Sequence, residues 1–377
     1  MSFLKKVAIN IFALLPTKKK IAFINFFGRG YGDNPKYIAE EILHQKLPYD
    51  LVWLVYHMDE AFPQGIRKVK YHSLRFHYEL ATSRIIICNA KGRLPYKKKK
   101  SQYYIQTWHG GFPLKYIEKE AEKDLDPNYV LDSQYDSSLT DLILSGSEFQ
   151  TKIIENSFWY SGEIFKKGIP RNDIFFNQTA DSICNIKKKY GFSEHCKIVL
   201  YAPTFRDNNE TNAYCLNAKR VLGTLSASTG KEWIFIIRLH PNAAYQRNIF
   251  EYSDNIIDGT TYADPQELLL ISDILITDYS SMMIDFGIME RPVFLFIPDL
   301  EDYKSKCRGL RPIFNDLPFD KCQSEDELLS SLEEFNEGNY KKKLDSFMTN
   351  HYQSYDDGQA SKHIVDRIIM KMEGISQ

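Results

Sequence analysis

The stretch "KIAFINFFGRGYGDNPKYIAEEILHQ", Lys20 to Gln45, decides how this chain folds. Its opening, "KIAFINFF", is a short apolar run rich in β-branched and aromatic residues, the composition of a buried strand. "GRGYGDNP" follows, a turn whose glycines open backbone conformations closed to other residues. "KYIAEEILHQ" then reads as a helix, with Asp33 or Asn34 placed to cap it and Pro35 suited to its first turn. Strand, glycine turn and helix make one βα unit, and the unit recurs. "LVWLVY", "RIIICN", "YYIQTW" and "LILSGS" continue the strand series with helical patterns between them. Strands alternating with helices predict a parallel, doubly wound sheet.

After Pro170 the chain turns more polar, "RNDIFFNQTADSICNIKKKYGFSEHC", and the strands restart with "KIVLYAPT", "WIFIIRL", "DILIT" and "PVFLFIP". This predicts an α/β protein of two Rossmann-like halves, residues 21–178 and 179–350, with the boundary near 175–190. Within 351–377, "SKHIVDRIIMKME" is helical and is expected to pack back on the first half. A length of 377 residues fits two domains, at about 100–200 residues each. No tandem repeat or low-complexity tract interrupts the pattern.

Hydrophobic content of 43% and charged content of 26% place the chain among soluble globular proteins. A net charge of −1 gives no reason to expect nucleic acid as a partner. The six cysteines show no C-x-x-C pair or regular spacing, which fits free thiols in a reducing cytoplasm and neither disulfide framework nor zinc site. The nine histidines contain no H-E-x-x-H, so no metal site is expected.

The first 20 residues, "MSFLKKVAINIFALLPTKKK", carry an amphipathic stripe at Phe3, Leu4, Val7, Ala8, Ile11, Phe12 and Leu15. The run is too short to span a bilayer, which takes about 20 apolar residues, and no small-residue cleavage site follows it. Lys5, Lys6, Lys18, Lys19 and Lys20 flank the stripe, and together they suit a helix lying in an anionic membrane interface. The plainer alternative is a helix packed on the protein's own core. "YKKKK", Tyr96 to Lys100, is a second basic cluster and by itself reads as a solvated loop.

In open α/β sheets ligands bind beyond the carboxyl ends of the strands, and four unusual stretches sit there. "QTWHGGFPLKYIEKE" puts His109 at the end of a strand before Gly110 and Gly111. "YAPTFRD" brings Thr204 and Arg206, "IIRLHPN" brings Arg238 and His240, and "ILITDYSSMMID" opens a helix with Ser280 and Ser281. Free N–H groups and hydroxyls at a helix start can hold phosphate. Each stretch alone has a bland reading: a loop histidine, a surface arginine, capping serines. Their common position at strand ends argues against coincidence.

"WHGGFPLK", "KKGIPRND", "APTFRD", "RLHP" and "TDYSSMMID", in this order, resemble the CDP-glycerol glycerophosphotransferase family of teichoic acid primases and polymerases. "YGDNPKYIAEE", "DLEDYKSKCRG" and "DGQASKHIVDR" fit the same pattern, so the resemblance runs from about Ile21 to the final helix. It implies a GT-B architecture, with the active site in the cleft between two Rossmann-like domains. It implies transfer of a polyol phosphate from a CDP-activated donor to the hydroxyl of a lipid-linked or oligosaccharide acceptor, with release of CMP and no cofactor. His109 is then the general base, and His240 a donor to the pyrophosphate or leaving group. Arg171, Thr204, Phe205, Arg206, Arg238, Ser280, Ser281 and Asp285 match donor-binding positions, and Gly110, Gly111, Pro113 and Lys115 belong to the substrate loop. The chemistry agrees, because histidine is the natural base near neutral pH and guanidinium groups suit a pyrophosphate.

Teichoic acid polymerases of that family usually read W-H-G-T-P-L-K, one residue shorter than the loop here. The longer form resembles members associated with capsule or other surface polysaccharides. Glycerol phosphate is the expected unit, with ribitol or another CDP-linked polyol as the alternative. The setting implied is the inner face of the cell membrane. A sugar-nucleotide glycosyltransferase or epimerase is a further alternative, but "FGRGYG" spaces its glycines G-x-G-x-G, a poor dinucleotide signal. "DLD" at Asp124–Asp126 lies in a charged stretch and reads as solvated loop. A catalytically inactive membrane-surface module is opposed by the intact His109, His240 and Asp285.

Overall fold

Residues 3–206, 211–306 and 309–375 are described in the computed structural model. Asp207 of the "APTFRD" stretch and Cys307 and Arg308 of the "DLEDYKSKCRG" stretch lie outside them. The chain forms two compact units, one of Met1–Gly111, Ile117–Asp173 and Ser354–Gln377, the other of Phe112–Tyr116 and Ile174–Gln353.

The first unit holds a parallel sheet of β1 (Lys18–Ile24), β2 (Asp50–Val55), β3 (Ile66–Lys70), β4 (Ser83–Cys88), β5 (Tyr103–Gln106), β6 (Leu142–Ser145) and β7 (Glu163–Lys166), in the order β3-β2-β1-β4-β5-β6-β7. Alternate residues of a strand face opposite sides, and both sides are covered, which is why the strands read as nearly continuous apolar runs. Ile21, Phe23, Ile85 and Ile87 pack against α2 (Asp33–His44) and the C-terminal helix Ala360–Glu373, through Ile38, Ile364 and Ile368. Ala22, Ile24 and Ile86 face the other way, toward Phe76 and Leu80 of α3 (Leu74–Thr82).

The second unit holds β8 (Lys197–Ala202), β9 (Trp233–Ile237), β10 (Ile256–Asp258), β11 (Ile274–Thr277), β12 (Val293–Phe296) and β13 (Asp320–Cys322), in the order β10-β9-β8-β11-β12-β13. Val199, Phe235, Ile276 and Phe294 form its core. Counted from its own first strand, each sheet runs 3-2-1-4-5-6, the doubly wound order, and the first adds one more strand. The order reverses between β1 and β4, and again between β8 and β11. Those switch points are where such sheets bind ligands.

Several local expectations are corrected. β1 begins at Lys18, so Lys18 to Lys20, read as charge flanking the N-terminal helix, are strand residues. Lys20 is buried in an ion pair with the equally buried Glu79, and its ammonium also reaches Thr82 Oγ1 at 2.6 Å. Lys18 donates to the Tyr78 hydroxyl at 3.0 Å and Lys19 pairs with Glu373 at 2.5 Å. The "YKKKK" cluster is tied down as well. Lys99 donates to the Leu15 and Ala81 carbonyls, both at 2.5 Å, and Lys98 pairs with Asp141 at 2.5 Å.

The N-terminal helix, α1 (Phe3–Leu14), divides its apolar residues between two faces. Ile9 is buried in the first unit's core, with Phe12 set edge-on to Tyr78 at 5.5 Å. Phe3, Leu4, Val7, Ile11 and Leu14 stay exposed. At the start of α2 neither Asp33 nor Asn34 caps the helix: Gly32 occupies the cap with no side-chain bond. The two side chains are used elsewhere.

Candidate active site

In the first unit the turn after β5 is built around Trp108. The strand ends at Gln106, and Trp108 adopts φ of +54°, a left-handed conformation that strains a non-glycine residue by about 1–3 kcal/mol. Gly110 avoids positive φ, and a Cβ there would meet only Trp108 Nε1 at an ordinary 3.5 Å. What holds Trp108 is its surroundings: its N–H donates to Gln106 Oε1 at 3.0 Å, Phe158 meets its ring edge-on at 5.0 Å, and Lys91 Nζ lies 5.5 Å from the ring.

His109 follows, half-buried, with Nδ1 2.7 Å from the Asn89 carbonyl. A carbonyl only accepts, so Nδ1 carries the hydrogen and Nε2 keeps its lone pair. Burial pushes the His109 pKa below its ordinary 6.5, against the Asn89 bond and the Asp33 charge, which favour the cation. Burial thus favours the neutral imidazole, whose lone pair is on Nε2.

The Asn89 side chain ties the end of β4 to the end of β1 and the start of α2. Its Oδ1 accepts from Phe26 N at 2.8 Å, and its Nδ2 donates to Asn25 Oδ1 and Asp33 Oδ2, each at 2.7 Å. Asp33 Oδ1 takes Arg171 at 2.9 Å, and the same Arg171 nitrogen donates to the His109 carbonyl at 2.5 Å. Asn34 adds three bonds, donating to the Trp108 and Thr107 carbonyls at 3.1 and 3.4 Å and accepting from Arg171 N at 3.1 Å. Arg171 thus sits in the histidine cluster of the first unit, bonded to Asp33.

The second unit centres on Arg206, which is buried at the end of β8. It donates to Asp299 Oδ2 at 2.7 Å and Oδ1 at 3.2 Å, to Asp278 Oδ2 at 2.8 Å, and to Thr204 O and Oγ1 at 2.7 and 2.6 Å. Five contacts match the five N–H donors of a guanidinium. Burial works against the charge, but Asp278 and Asp299 outweigh it and raise the pKa above that of a free arginine. Asp278 also accepts from Thr204 N at 2.9 Å, while Tyr279 and Tyr303 stack beside the guanidinium. Arg206 thus ties Thr204, Asp278 and Asp299 together in one cluster. Phe112–Tyr116 joins this unit, with the Leu114 carbonyl accepting from Arg311 N at 2.8 Å and Lys115 Nζ 4.5 Å from the Tyr303 ring. Pro113 lies in that segment, and Gly111 ends the preceding one.

Arg238, after β9, donates to the Gly259 and Tyr262 carbonyls at 2.9 and 2.6 Å, and burial lowers its pKa. His240 is exposed, and its Nδ1 accepts from Asn242 N at 3.2 Å. That bond fixes the opposite tautomer to His109: the hydrogen is on Nε2, which is a donor. The half-buried Phe205 lies 6.1 Å from the His240 ring. Ser280 Oγ accepts from Met282 N at 3.3 Å, Ser281 precedes the short helix Met282–Gly287 without capping it, and Asp285 is buried in that helix. Asn25, Asn89 and Asp299 were missed by sequence reasoning. Their signal was position, since each directly follows an apolar strand run.

The family model for CDP-glycerol:poly(glycerophosphate) glycerophosphotransferase matches residues 7–370. The chain is 32% identical over 364 residues to the teichoic acid poly(glycerol phosphate) polymerase of Staphylococcus epidermidis, covering 93% of this chain and 50% of that one. It thus spans about half the length of that relative. It is 30% identical to the Bacillus spizizenii polymerase of the same name, covering 96% of this chain and 95% of that one. Among solved structures, the wall teichoic acid polymerase TagF superposes with a TM-score of 0.85 at 30% identity, over 98% of this chain and 94% of that one. A histidine-to-asparagine variant of it soaked with CDPG gives 0.86. The two parallel-sheet domains are those of the GT-B class. A Staphylococcus aureus MnaA–UDP structure, 15% identical with a TM-score of 0.55 over 95% of this chain and 98% of that one, shares the fold alone.

Proposed function

We propose that this chain, which belongs to the CDP-glycerol:poly(glycerophosphate) glycerophosphotransferase family, moves glycerol phosphate from CDP-glycerol to a hydroxyl of a membrane-linked or glycan acceptor and releases CMP. The product belongs to a teichoic acid or capsule-type surface polymer. The observation that carries the reading is the pair of opposite histidine tautomers. His109 Nε2 accepts the proton of the acceptor hydroxyl. The hydroxyl oxygen bonds to the phosphorus bearing glycerol, and the bond from that phosphorus to the bridging oxygen breaks, leaving with CMP. His240 Nε2–H donates to the departing phosphate. Such transfers depend mostly on positioning and charge stabilisation. Arg171 positions the His109 turn through Asp33, and Arg206 braces the strand ends from which Thr204 and Phe205 project. Arg238, Ser280, Ser281 and Asp285 serve the donor side, with Gly110, Gly111, Pro113 and Lys115 in the substrate loop.

Ribitol phosphate is the second reading, since a ribitol-phosphate polymerase of Bacillus spizizenii is 28% identical over 97% of this chain and 59% of that one. Offering purified protein CDP-glycerol, CDP-ribitol and UDP-sugars, with nucleotide release as the readout, tests both. Release of CMP mainly from CDP-glycerol is expected. Preferential use of a UDP-sugar would overturn the proposal.

Catalysis on a membrane-linked acceptor places the enzyme at the cytoplasmic face of the bilayer. No helix among the described residues is long and apolar enough to cross a membrane. The exposed apolar face of α1 supports contact with an anionic membrane surface instead.

A further inference from the structure

The second unit holds a cavity of about 580 Å³ that none of the roles above uses. Its size is that of a small-ligand site, about 300–1,000 Å³. Lys321, Lys342, Lys343, Ser346 and His351 line it, with Phe347 among its apolar lining and Asp316 as its one carboxylate. Three lysines against one aspartate make the lining cationic.

The lysines differ in their engagement. Lys321 is half-buried and donates to the Leu317 and Asn315 carbonyls at 3.1 and 3.3 Å. Those bonds hold the amine in place without neutralising it. Burial lowers its pKa, the sign of a cation short of solvation. Lys342 and Lys343 are exposed on the helix Glu337–Phe347, and among the described residues neither forms an ion pair. Their neighbour Lys341 differs, reaching Glu337 at 3.0 Å and Glu290 at 3.6 Å. The helix thus leaves its unneutralised cations at the cavity. Phe347 has a second contact: Phe112 meets it edge-on at 5.9 Å, and Phe112 is fully buried. Phe112 is three residues along the chain from His109.

We infer that this cavity is an accessory site for a phosphodiester chain, holding successive phosphates of the glycerol phosphate polymer on Lys321, Lys342 and Lys343. The inference rests on the proposed function, because that reaction makes a polymer with one negative charge per unit. Ammonium groups on flexible stems suit such a ligand, since they follow charges at variable positions where a guanidinium fork would demand one geometry.

The test is fluorescence anisotropy with the full chain and a labelled glycerol phosphate oligomer, comparing the wild type with the double variant Lys342→Ala/Lys343→Ala. Both side chains are exposed, so the fold should survive, and matching thermal melts will check it. Oligomer binding should weaken about five- to tenfold, the scale of two solvent-exposed charge contacts, and wild-type affinity should fall as salt rises. Equal oligomer affinity in the two proteins overturns the inference. So does inorganic phosphate that competes as well as the oligomer at equal phosphate concentration, because the site would then hold one anion and no chain. Calorimetry with CDP-glycerol keeps the two proposals apart: a wild type that binds the oligomer but ignores CDP-glycerol contradicts the proposed function and leaves the cavity's ligand standing.

Discussion

A histidine becomes a base or a donor through what its other nitrogen touches. His109 gives its Nδ1 hydrogen to a carbonyl, and His240 receives an N–H at Nδ1, so one Nε2 carries a lone pair and the other a hydrogen. Replacing His109 by Ala should lower CMP release about 10²-fold or more, while CDP-glycerol affinity measured by calorimetry changes far less. The pH profile offers a separate check. The base works only when neutral, and burial favours the neutral form by moving the pKa down from 6.5. Its neutral fraction is thus already high at pH 6.5 and is lost as pH falls through the lowered value. The acid limb of kcat/KM should accordingly have its midpoint below 6.5. A midpoint above 7, or a variant that keeps most of the rate, would remove His109 from the role.

At the scale of elements, sequence and structure part company in an orderly way. The nine strands legible from apolar runs are interior to their sheets. The four that were not, β3, β7, β10 and β13, are the four edge strands. An edge strand has one neighbour and a wetter surface, so "IRKVK", "EIFK", "IID" and "DKC" carry too few apolar residues to stand out. The site shows the same division. His109, Arg206 and His240 were legible because a polar group at the end of an apolar run is conspicuous. Their partners were not, since Arg206 and Asp299 are 93 residues apart and only the folded sheet brings them together. The helix α1 was half legible. Its amphipathic pattern was plain, yet the pattern alone did not tell which apolar residues face the core. Ile9 is 2% exposed, whereas Phe3 and Leu4 are 79% exposed. Leu4→Asp/Ile11→Asp should therefore reduce co-sedimentation with anionic phospholipid vesicles several-fold, since burying one such side chain contributes about 1.5–3 kcal/mol. Thermal stability should hardly change. Undiminished vesicle binding by this variant would leave the exposed face without a membrane role.

At the scale of the whole molecule, the chain leaves the first unit after Asp173 and comes back to it at Ser354. The returning helix Ala360–Glu373 completes that unit's core. Ile364, Val365 and Ile368 are fully buried in it and Met372 is 1% exposed. Asp173 accepts from the Ala360 and Ser361 N–H groups at 2.9 and 2.7 Å, so the residue at which the chain departs also caps the helix that returns. Four buried apolar side chains at about 1.5–3 kcal/mol each amount to roughly 6–12 kcal/mol, comparable with the 5–15 kcal/mol that typically separates a folded domain from its unfolded state. A chain ending at Gln353 should lose the first unit and keep the second, whose core of Val199, Phe235 and Ile276 needs nothing from the deleted residues. Hydrogen exchange would show this directly, with amide protection lost from β1, β4 and β5 and retained in β8, β9 and β11. CMP release should vanish with the first unit, because His109 depends on the β1, β4 and β5 ends. If β1 and β4 stayed protected in the shortened chain, the sheet would be stable with one face uncovered, and the returning helix would have to be assigned some purpose other than closing the core.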